Sequence, residues 1–155
     1  MIKTIYGDVL NIPRIYICHQ VNCRGVMGAG VALQVKNKWP RAYEWYLKDC
    51  KGKTKEELLG SISFLEVEDN VSVIHMFAQD AYGHSYNYTL YTAFEDCLKE
   101  ICRCIPKENT ILRFPYKIGC GLAGGDWDII QRLIHEHLND YNVEFYTLDP
   151  TSQVI

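Results

Sequence analysis

Short apolar runs alternate along this chain with longer segments in which apolar residues recur at helical spacing. Continuous apolar runs are typical of strands that are covered on both faces. Apolar residues that recur every three or four positions are typical of helices buried on one face. The runs predict strands at residues 2–6, 15–18, 61–66, 71–77, 110–114 and 143–148. The helical spacing predicts helices at residues 31–38, 40–50, 89–104 and 127–138.

Strands interleaved with helices predict an α/β fold, in which helices cover both faces of a central mixed sheet and form three layers, α/β/α. A chain of 155 residues with 48% hydrophobic residues is long enough for one domain with a substantial core. No repeat or linker divides the chain, so we expect a single domain over residues 1–155. The order of the strands does not follow from the pattern.

Charge and hydropathy narrow the classes of function. The chain has 16 Lys and Arg against 19 Asp and Glu, and this balance does not predict the dense cationic face that general nucleic-acid binding requires. No apolar run approaches the roughly 20 residues that cross a bilayer, and the apolar start is too short for a signal peptide. We therefore expect a cytoplasmic protein without a membrane segment, and we expect it to be a monomer.

The seven cysteines raise the question of a metal site or a disulfide framework. They lack the paired C-x-x-C spacing of a zinc site, and their odd number fits a complete disulfide framework poorly. Cys18 and Cys97 lie in apolar periodic segments, where a free cysteine acts as a small hydrophobic residue. We therefore expect reduced thiols and no bound metal.

Two glycine-bearing segments each connect a predicted strand to a predicted helix. The first glycine loop, residues 19–30, reads HQVNCRGVMGAG, and the second glycine loop, residues 115–127, reads PYKIGCGLAGGDW. Glycine lets a ligand approach the backbone closely, and the helix N-terminus that follows attracts phosphate. One such loop alone is more often a tight turn or a helix cap. Two of them side by side at the carboxyl ends of strands would suit a pyrophosphate and its flanking sugars.

Neither loop matches the fingerprints of better-known phosphate sites. The NTPase pattern G-x-x-x-x-G-K-[ST] is absent. The first loop lacks the third glycine of the dinucleotide pattern G-x-G-x-x-G, and the second matches that pattern only formally, near the C-terminus. The sequence therefore gives no support for a redox cofactor, and we expect no cofactor.

Residues 7–10 (GDVL), the first glycine loop and residues 118–127 (IGCGLAGGDW) occur in this order along the chain. Together they resemble the macro domain family, in particular its phage-like branch of ADP-ribose 1''-phosphate processing proteins and related ADP-ribosyl hydrolases. The resemblance runs along nearly the whole chain. It implies binding of ADP-ribose or of an ADP-ribosylated macromolecule, and hydrolysis of an ADP-ribose derivative at the distal ribose. The alternative is a module that reads ADP-ribose without chemistry.

The resemblance also implies ligand-binding residues. Asp8 would bind the adenine amino group, Val9 would lend a backbone amide, and Asn22 would face the distal ribose. Backbone amides around the phosphates and the distal ribose would come from Gly28, Ala29, Gly30 and Val31. The second loop would wrap the pyrophosphate with Ile118, Gly119, Cys120, Gly121, Leu122, Ala123 and Gly124. Phe145 or Tyr146 would either flank adenine or belong to the core.

The candidate catalytic residues are His19, Asn22 and Asp126. His19 can exchange a proton near neutral pH, although a histidine at a strand end is as often satisfied by the backbone. Asp126 could activate water or accept a ribose proton, but directly before a helix it is also a good N-cap.

One hydrolase group of the family is thought to use a lysine and an aspartate, where this chain has Gln79 and Ala123. A covalent lysine mechanism is therefore not expected, although Asp80 would supply a carboxylate if it turned inward. We expect His84 to be exposed on a mobile surface loop. The loop amides would lower the pKa of Cys120, but no C-x5-R pattern begins there, so we expect Cys120 only to let the loop turn.

Overall fold

The computed structural model describes residues 2, 12–81, 89–121 and 123–147. The predicted strand at residues 2–6 lies outside this part of the chain apart from Ile2. Asp8, Val9, His84 and Leu122 also lie outside the described residues, so their predicted roles stay predictions.

The described chain forms strands and helices in alternation, close to the predicted bounds. The strands are β1 (Arg14–Val21), β2 (Ile62–Glu68), β3 (Val71–Phe77), β4 (Thr110–Pro115) and β5 (Asn142–Tyr146). The helices are α1 (Gly30–Lys38), α2 (Pro40–Gly52), α3 (Lys55–Leu58), α4 (Tyr91–Cys104) and α5 (Trp127–His137). None of the described helices is both long and apolar enough to cross a membrane.

The strands form one five-stranded mixed sheet in the order β2-β3-β1-β4-β5. β1 pairs in parallel with both β3 and β4, and β4 pairs in parallel with β5. β2 is antiparallel to β3, because the short turn that joins them reverses the chain. Asn70 in that turn has a φ of 62°, a left-handed conformation that asparagine tolerates.

Within the sheet, β3 lies on one side of β1 and β4 lies on the other. The sheet therefore changes its winding direction between β1 and β4, and in open α/β sheets ligands bind at this point.

Two apolar layers cover the sheet. One face packs against α4 and α5, and its buried residues include Cys18, Cys97 and Phe114. The other face packs against α1, α2 and α3, with Tyr46 and Phe77 among its buried residues. The predicted three-layer α/β/α fold is confirmed, and Cys18 and Cys97 lie in the core as expected.

Two local features differ from the sequence prediction. The short helix α3 was not predicted, although Thr54 and Glu57 form a capping box there and the T-x-x-E pattern is visible in the sequence. The predicted helix from residue 89 begins instead at Tyr91. Thr89 forms a β-bridge with Gln79, and the amide of Leu90 donates to the carbonyl of Ala78.

Candidate functional site

A cavity of about 580 Å³ opens where β1 and β4 end, in the size range of small-molecule sites. Its walls come from the end of β1, from both glycine loops, from the first turn of α1 and from Gln79 after β3. The predicted ligand-binding residues that line it are Asn22, Gly28, Ala29, Gly30, Val31, Ile118, Gly119, Gly121 and Ala123. Cys120 and Gly124 belong to the second loop but do not line the cavity.

The N-terminus of α1 faces this cavity. Its N-cap residue is Ala29, which has no side-chain acceptor for the first helical amides. The first turn of α1 contains no acidic residue, and Lys36 and Lys38 lie in its last turn. No side chain of α1 therefore neutralises the partial positive charge at the N-terminus of this helix. A phosphate site requires such a free positive end.

Asn22 shapes the first glycine loop with both atoms of its amide. Its Oδ1 accepts from the backbone N of Arg24 at 2.9 Å, and its Nδ2 donates to the carbonyl of Val26 at 2.7 Å. The hydroxyl of Tyr46 lies 2.7 Å from both Asn22 Oδ1 and the Asn22 carbonyl, and it accepts from the backbone N of Gly25 at 3.1 Å. In this structure Asn22 holds the loop in shape while it lines the cavity.

The second glycine loop is a succession of tight turns. Lys117 and Gly119 have φ values of 60° and 75°, and the backbone N of Gly125 donates to the Gly119 carbonyl at 2.8 Å. A Cβ atom on Gly125 would lie 2.6 Å from that carbonyl oxygen, so this position admits only glycine without rearrangement. Lys117 also lines the cavity, and its Nζ lies 5.9 Å from the ring centroid of Tyr116.

A chain of side-chain amides joins the two sides of the cavity. Gln20 Nε2 donates to Gln79 Oε1 at 2.7 Å and to Thr89 Oγ1 at 2.9 Å. Gln79 Nε2 donates to the carbonyl of Ala81 at 2.6 Å, and the Thr89 hydroxyl donates to the Gly119 carbonyl at 2.7 Å. Gln79 is therefore part of the cavity wall and of this hydrogen-bonded chain.

His19 lies at the same end of β1 and lines the cavity from within the sheet. Its Nε2 is 2.7 Å from Nδ1 of His75, and Nε2 of His75 is 3.0 Å from the carbonyl of Ala42. Both histidines are buried. Burial holds the pKa of His19 well below its usual value, with a further contribution from His75, and it lowers the pKa of His75 to about 4.

Asp80 does not line the cavity, so the condition under which it would supply a carboxylate there is not met. Its carboxylate bonds to the guanidinium of Arg24 at 3.2 Å and lies 3.6 Å from Nζ of Lys55. The hydrogen bond from Arg24 is the main cause of the lowered pKa of Asp80. This pairing ties the first glycine loop to the segment that follows β3.

Asp126 caps α5 and does not line the cavity. Its Oδ1 accepts from the backbone N of Asp128 at 2.9 Å, and its own backbone N donates to the hydroxyl of Tyr91 at 3.0 Å. The side chain is exposed. The N-cap interpretation of Asp126 is confirmed, and its catalytic role stays a prediction.

The expectation that the loop amides lower the pKa of Cys120 is wrong. Burial, assisted by the negative charge of Asp126, raises the pKa of this thiol to about 11. The half-buried Sγ lies 3.4 Å from the carbonyl of Ile118. The thiol therefore stays protonated near neutral pH and is not an activated nucleophile.

The two aromatic residues near the end of β5 occupy different environments. Phe145 packs against Phe114 and Trp127 with ring centroids 6.2 Å and 5.5 Å away. Tyr146 is 52% exposed, and the guanidinium of Arg113 lies 4.9 Å from its ring centroid. Phe145 thus packs against the core, as one of the two interpretations held, while Tyr146 lies at the surface and is not among the residues that line the cavity.

Sequence reasoning missed several residues of the site. Gln20, Tyr116 and Lys117 line the cavity, and His75 contacts it only through His19. Lys117 lay within a loop already singled out, so a cation beside a phosphate loop was a usable signal. His75 gave no such signal, because it lies inside an apolar strand and its partner is 56 residues away in sequence.

A family model described as the macro domain matches residues 18–134. The matched segment covers more than half of the chain and contains both glycine loops. The chain belongs to the macro domain family.

Two relatives carry functional names. The chain is 28% identical over 146 residues to an ADP-ribose 1''-phosphate phosphatase of Meyerozyma guilliermondii. The alignment covers 78% of this chain and 83% of the relative. It is also 28% identical over 152 residues to a DNA ADP-ribosyl glycohydrolase of Mycobacterium tuberculosis. This second alignment covers 96% of this chain but 43% of the relative. The chain therefore spans less than half the length of the glycohydrolase.

A solved structure supports the same assignment of fold. Thermosipho africanus DarTG, solved in complex with ADP-ribose, superimposes with a TM-score of 0.68 at 25% identity. The superposition covers 90% of this chain and 40% of that chain.

Proposed function

We propose that this protein binds ADP-ribose in the cavity between β1 and β4 and hydrolyses an ADP-ribose derivative at the distal ribose. The single observation that supports this most strongly is the meeting of both glycine loops around one cavity of about 580 Å³. One wall is the N-terminus of α1, which suits the pyrophosphate. The other is the turn at Lys117 and Gly119, which suits the same charge from the opposite side.

The proposed substrates are ADP-ribose 1''-phosphate, O-acetyl-ADP-ribose and mono-ADP-ribosyl adducts of protein or DNA. The names of the two relatives differ in the bond they describe, a phosphate in one and a DNA linkage in the other. They share the ADP-ribosyl group. The ADP-ribosyl group is therefore the part of the substrate that we propose for this chain.

A specific observation favours the second candidate, a reader module without catalysis. Among the described residues that line the cavity, none is a carboxylate, and the titratable side chains are His19, Tyr116 and Lys117. Hydrolysis usually needs a positioned acid or base. In this site His19 is the candidate that the described cavity wall offers, with Asn22 orienting the loop beside it.

Calorimetry with ADP-ribose tests the binding proposal, and turnover assays with the substrates named above test the hydrolase proposal. We expect micromolar binding and release of ADP-ribose from at least one substrate. Binding without turnover on any of them would leave the reader module, and undetectable binding would remove both functions.

A His19→Ala variant separates the two candidates within one experiment. If His19 takes part in catalysis, turnover falls by about 100-fold or more while ADP-ribose affinity changes far less. His135→Ala, which removes an exposed imidazole of α5 outside the cavity, is the matched control and should leave both quantities unchanged.

A further inference from the structure

The strand pairing brings two histidines together inside the domain. β1 and β3 run in parallel with His19 in register with His75, and both side chains lie on the sheet face that packs against α2. Their rings meet edge to face with centroids 4.9 Å apart. The pair joins the cavity to the interior of the fold, because His19 lines the cavity and His75 is fully buried.

The carbonyl of Ala42 determines which atoms donate and which accept in the hydrogen bonds of His19 and His75. The Ala42 carbonyl can only accept, so His75 Nε2 must carry a hydrogen to use the 3.0 Å contact. A neutral imidazole carries one ring hydrogen, which leaves His75 Nδ1 as an acceptor. The 2.7 Å contact then requires a hydrogen on His19 Nε2, and the ring of His19 is left with a bare lone pair on Nδ1.

That nitrogen is in an unusual position. His19 Nδ1 is buried and has no hydrogen-bond partner in the part of the chain that the structure describes. A buried acceptor without a partner costs about 1–3 kcal/mol of folding free energy. Such costs are retained where a ligand supplies the missing partner, and His19 is a residue of the cavity wall.

The next residue of β1, Gln20, also has a buried acceptor without a partner among the described residues. The amide chain runs from Gln20 through Gln79 to the Ala81 carbonyl, so Gln20 uses its Nε2 as donor. Its Oε1 is buried and finds no donor among the described residues. Two successive residues that line the cavity therefore each carry a buried acceptor that has no partner among the described residues. An anionic phosphate would be repelled there, whereas a hydroxyl group would donate to either.

We propose that His75 is a positioning residue that fixes His19 as a hydrogen-bond acceptor, and that His19 Nδ1 receives a hydroxyl hydrogen of the distal ribose. The ribose assignment rests on the function proposed above, whereas the state of the two rings does not. The end of β1 then selects the sugar, and the N-terminus of α1 selects the phosphates. In this arrangement His19 accepts a proton or a hydrogen bond and does not begin the reaction as an acid.

The first experiment uses imidazole nitrogen NMR near neutral pH, without ligand, to determine which ring nitrogens of His19 and His75 carry hydrogen in the wild-type protein. We expect His19 and His75 both to carry their hydrogen on Nε2, with an unprotonated Nδ1. A hydrogen on Nδ1 of either ring, or an imidazolium at His19, would overturn the proposal whether or not ADP-ribose binds.

The second experiment compares His75→Asn with His75→Leu, using ADP-ribose and ADP as calorimetric probes. Asn Oδ1 can replace the acceptor at Nδ1, whereas leucine cannot, so a merely structural role of His75 predicts no rescue by asparagine. We expect His75→Leu to weaken ADP-ribose binding by about tenfold, the loss of one buried hydrogen bond, with ADP affected far less. His75→Asn should stay within about threefold of wild type for both probes, since it keeps that bond.

An equal loss for ADP and ADP-ribose in His75→Leu would contradict the ribose assignment. If wild-type protein binds neither probe, the proposed function fails, while the NMR result still decides the ring states. If His75→Leu does not fold, the wild-type NMR measurement and the His75→Asn titrations still test the proposal.

Discussion

Single residues determine the shape of the cavity. Asn22 bonds with both atoms of its amide to its own loop and to Tyr46. Gly119 lies against Gln20, where a Cβ would be 2.8 Å from Gln20 Oε1. Substitutions at this scale should therefore change loop geometry and ligand affinity together.

Tyr46→Phe removes the hydroxyl that joins Asn22 to Gly25 and should loosen the first glycine loop. We expect a loss of about 1–3 kcal/mol in the free energy of unfolding and weaker ADP-ribose binding, measured by urea denaturation and calorimetry. Tyr141→Phe is the matched control, because that hydroxyl bonds to the carbonyl of Ile105 away from the cavity. It should lower stability alone, and a comparable loss of affinity in the control would contradict this account of the loop.

Gly119→Ala should be costly for two reasons. Alanine is strained at a φ of 75°, and its methyl group would displace the Gln20 amide from the chain that joins Gln79 to Thr89. We expect a loss of about 1–3 kcal/mol in unfolding free energy together with loss of ADP-ribose binding. Gly121→Ala, in the same loop, meets no described atom within 4 Å and should cost far less stability. Equal losses for the two variants would contradict the argument.

At the scale of elements, the pattern of apolar residues predicts nearly all helices and strands of the described chain. The spacing of these residues reflects the face that each element buries. The glycine loops were predictable for a related reason, because they interrupt that spacing where a strand passes into a helix. The pairing of β1 with β3 was not predictable. The contact between His19 and His75 depends on that pairing and on its register, which apolar spacing does not encode.

Asp126 shows how one element boundary bears on mechanism. Asp126→Ala should lower the unfolding free energy by about 1 kcal/mol through loss of the α5 cap. Asp126→Asn keeps a capping acceptor and should retain stability in a denaturation measurement, so steady-state kinetics of this variant tests the predicted catalytic role alone. If Asp126→Asn remains as stable as wild type but loses turnover by about 100-fold, Asp126 acts as an acid or base after all.

At the scale of the whole molecule, the buried histidine pair makes folding stability depend on pH. The pKa of His75 is lowered from 6.5 to about 4, and that of His19 is lowered as well. The unfolded chain therefore binds protons below about pH 6.5 that the folded protein does not accept until the pH is much lower. The stability contributed by the neutral pair is present above pH 6.5 and is lost as the pH falls toward about 4.

The size of this effect can be measured by urea denaturation across that pH window. The shift of His75 alone corresponds to a loss of about 3 kcal/mol in the free energy of unfolding. His75→Asn removes this contribution and should give a flatter profile over the same window. A wild-type stability that does not change between about pH 6.5 and pH 4 would contradict the neutral buried pair.

The central claim, that ADP-ribose occupies the cavity between β1 and β4, is tested most directly by an amide NMR titration of isotope-labelled protein with ADP-ribose. The account predicts saturable shifts in the amides of residues 28–31 and 117–121, with little change at the opposite ends of the strands near Arg14 and Thr110. Binding that shifts amides elsewhere and leaves both glycine loops unchanged, or no binding at all, would contradict it.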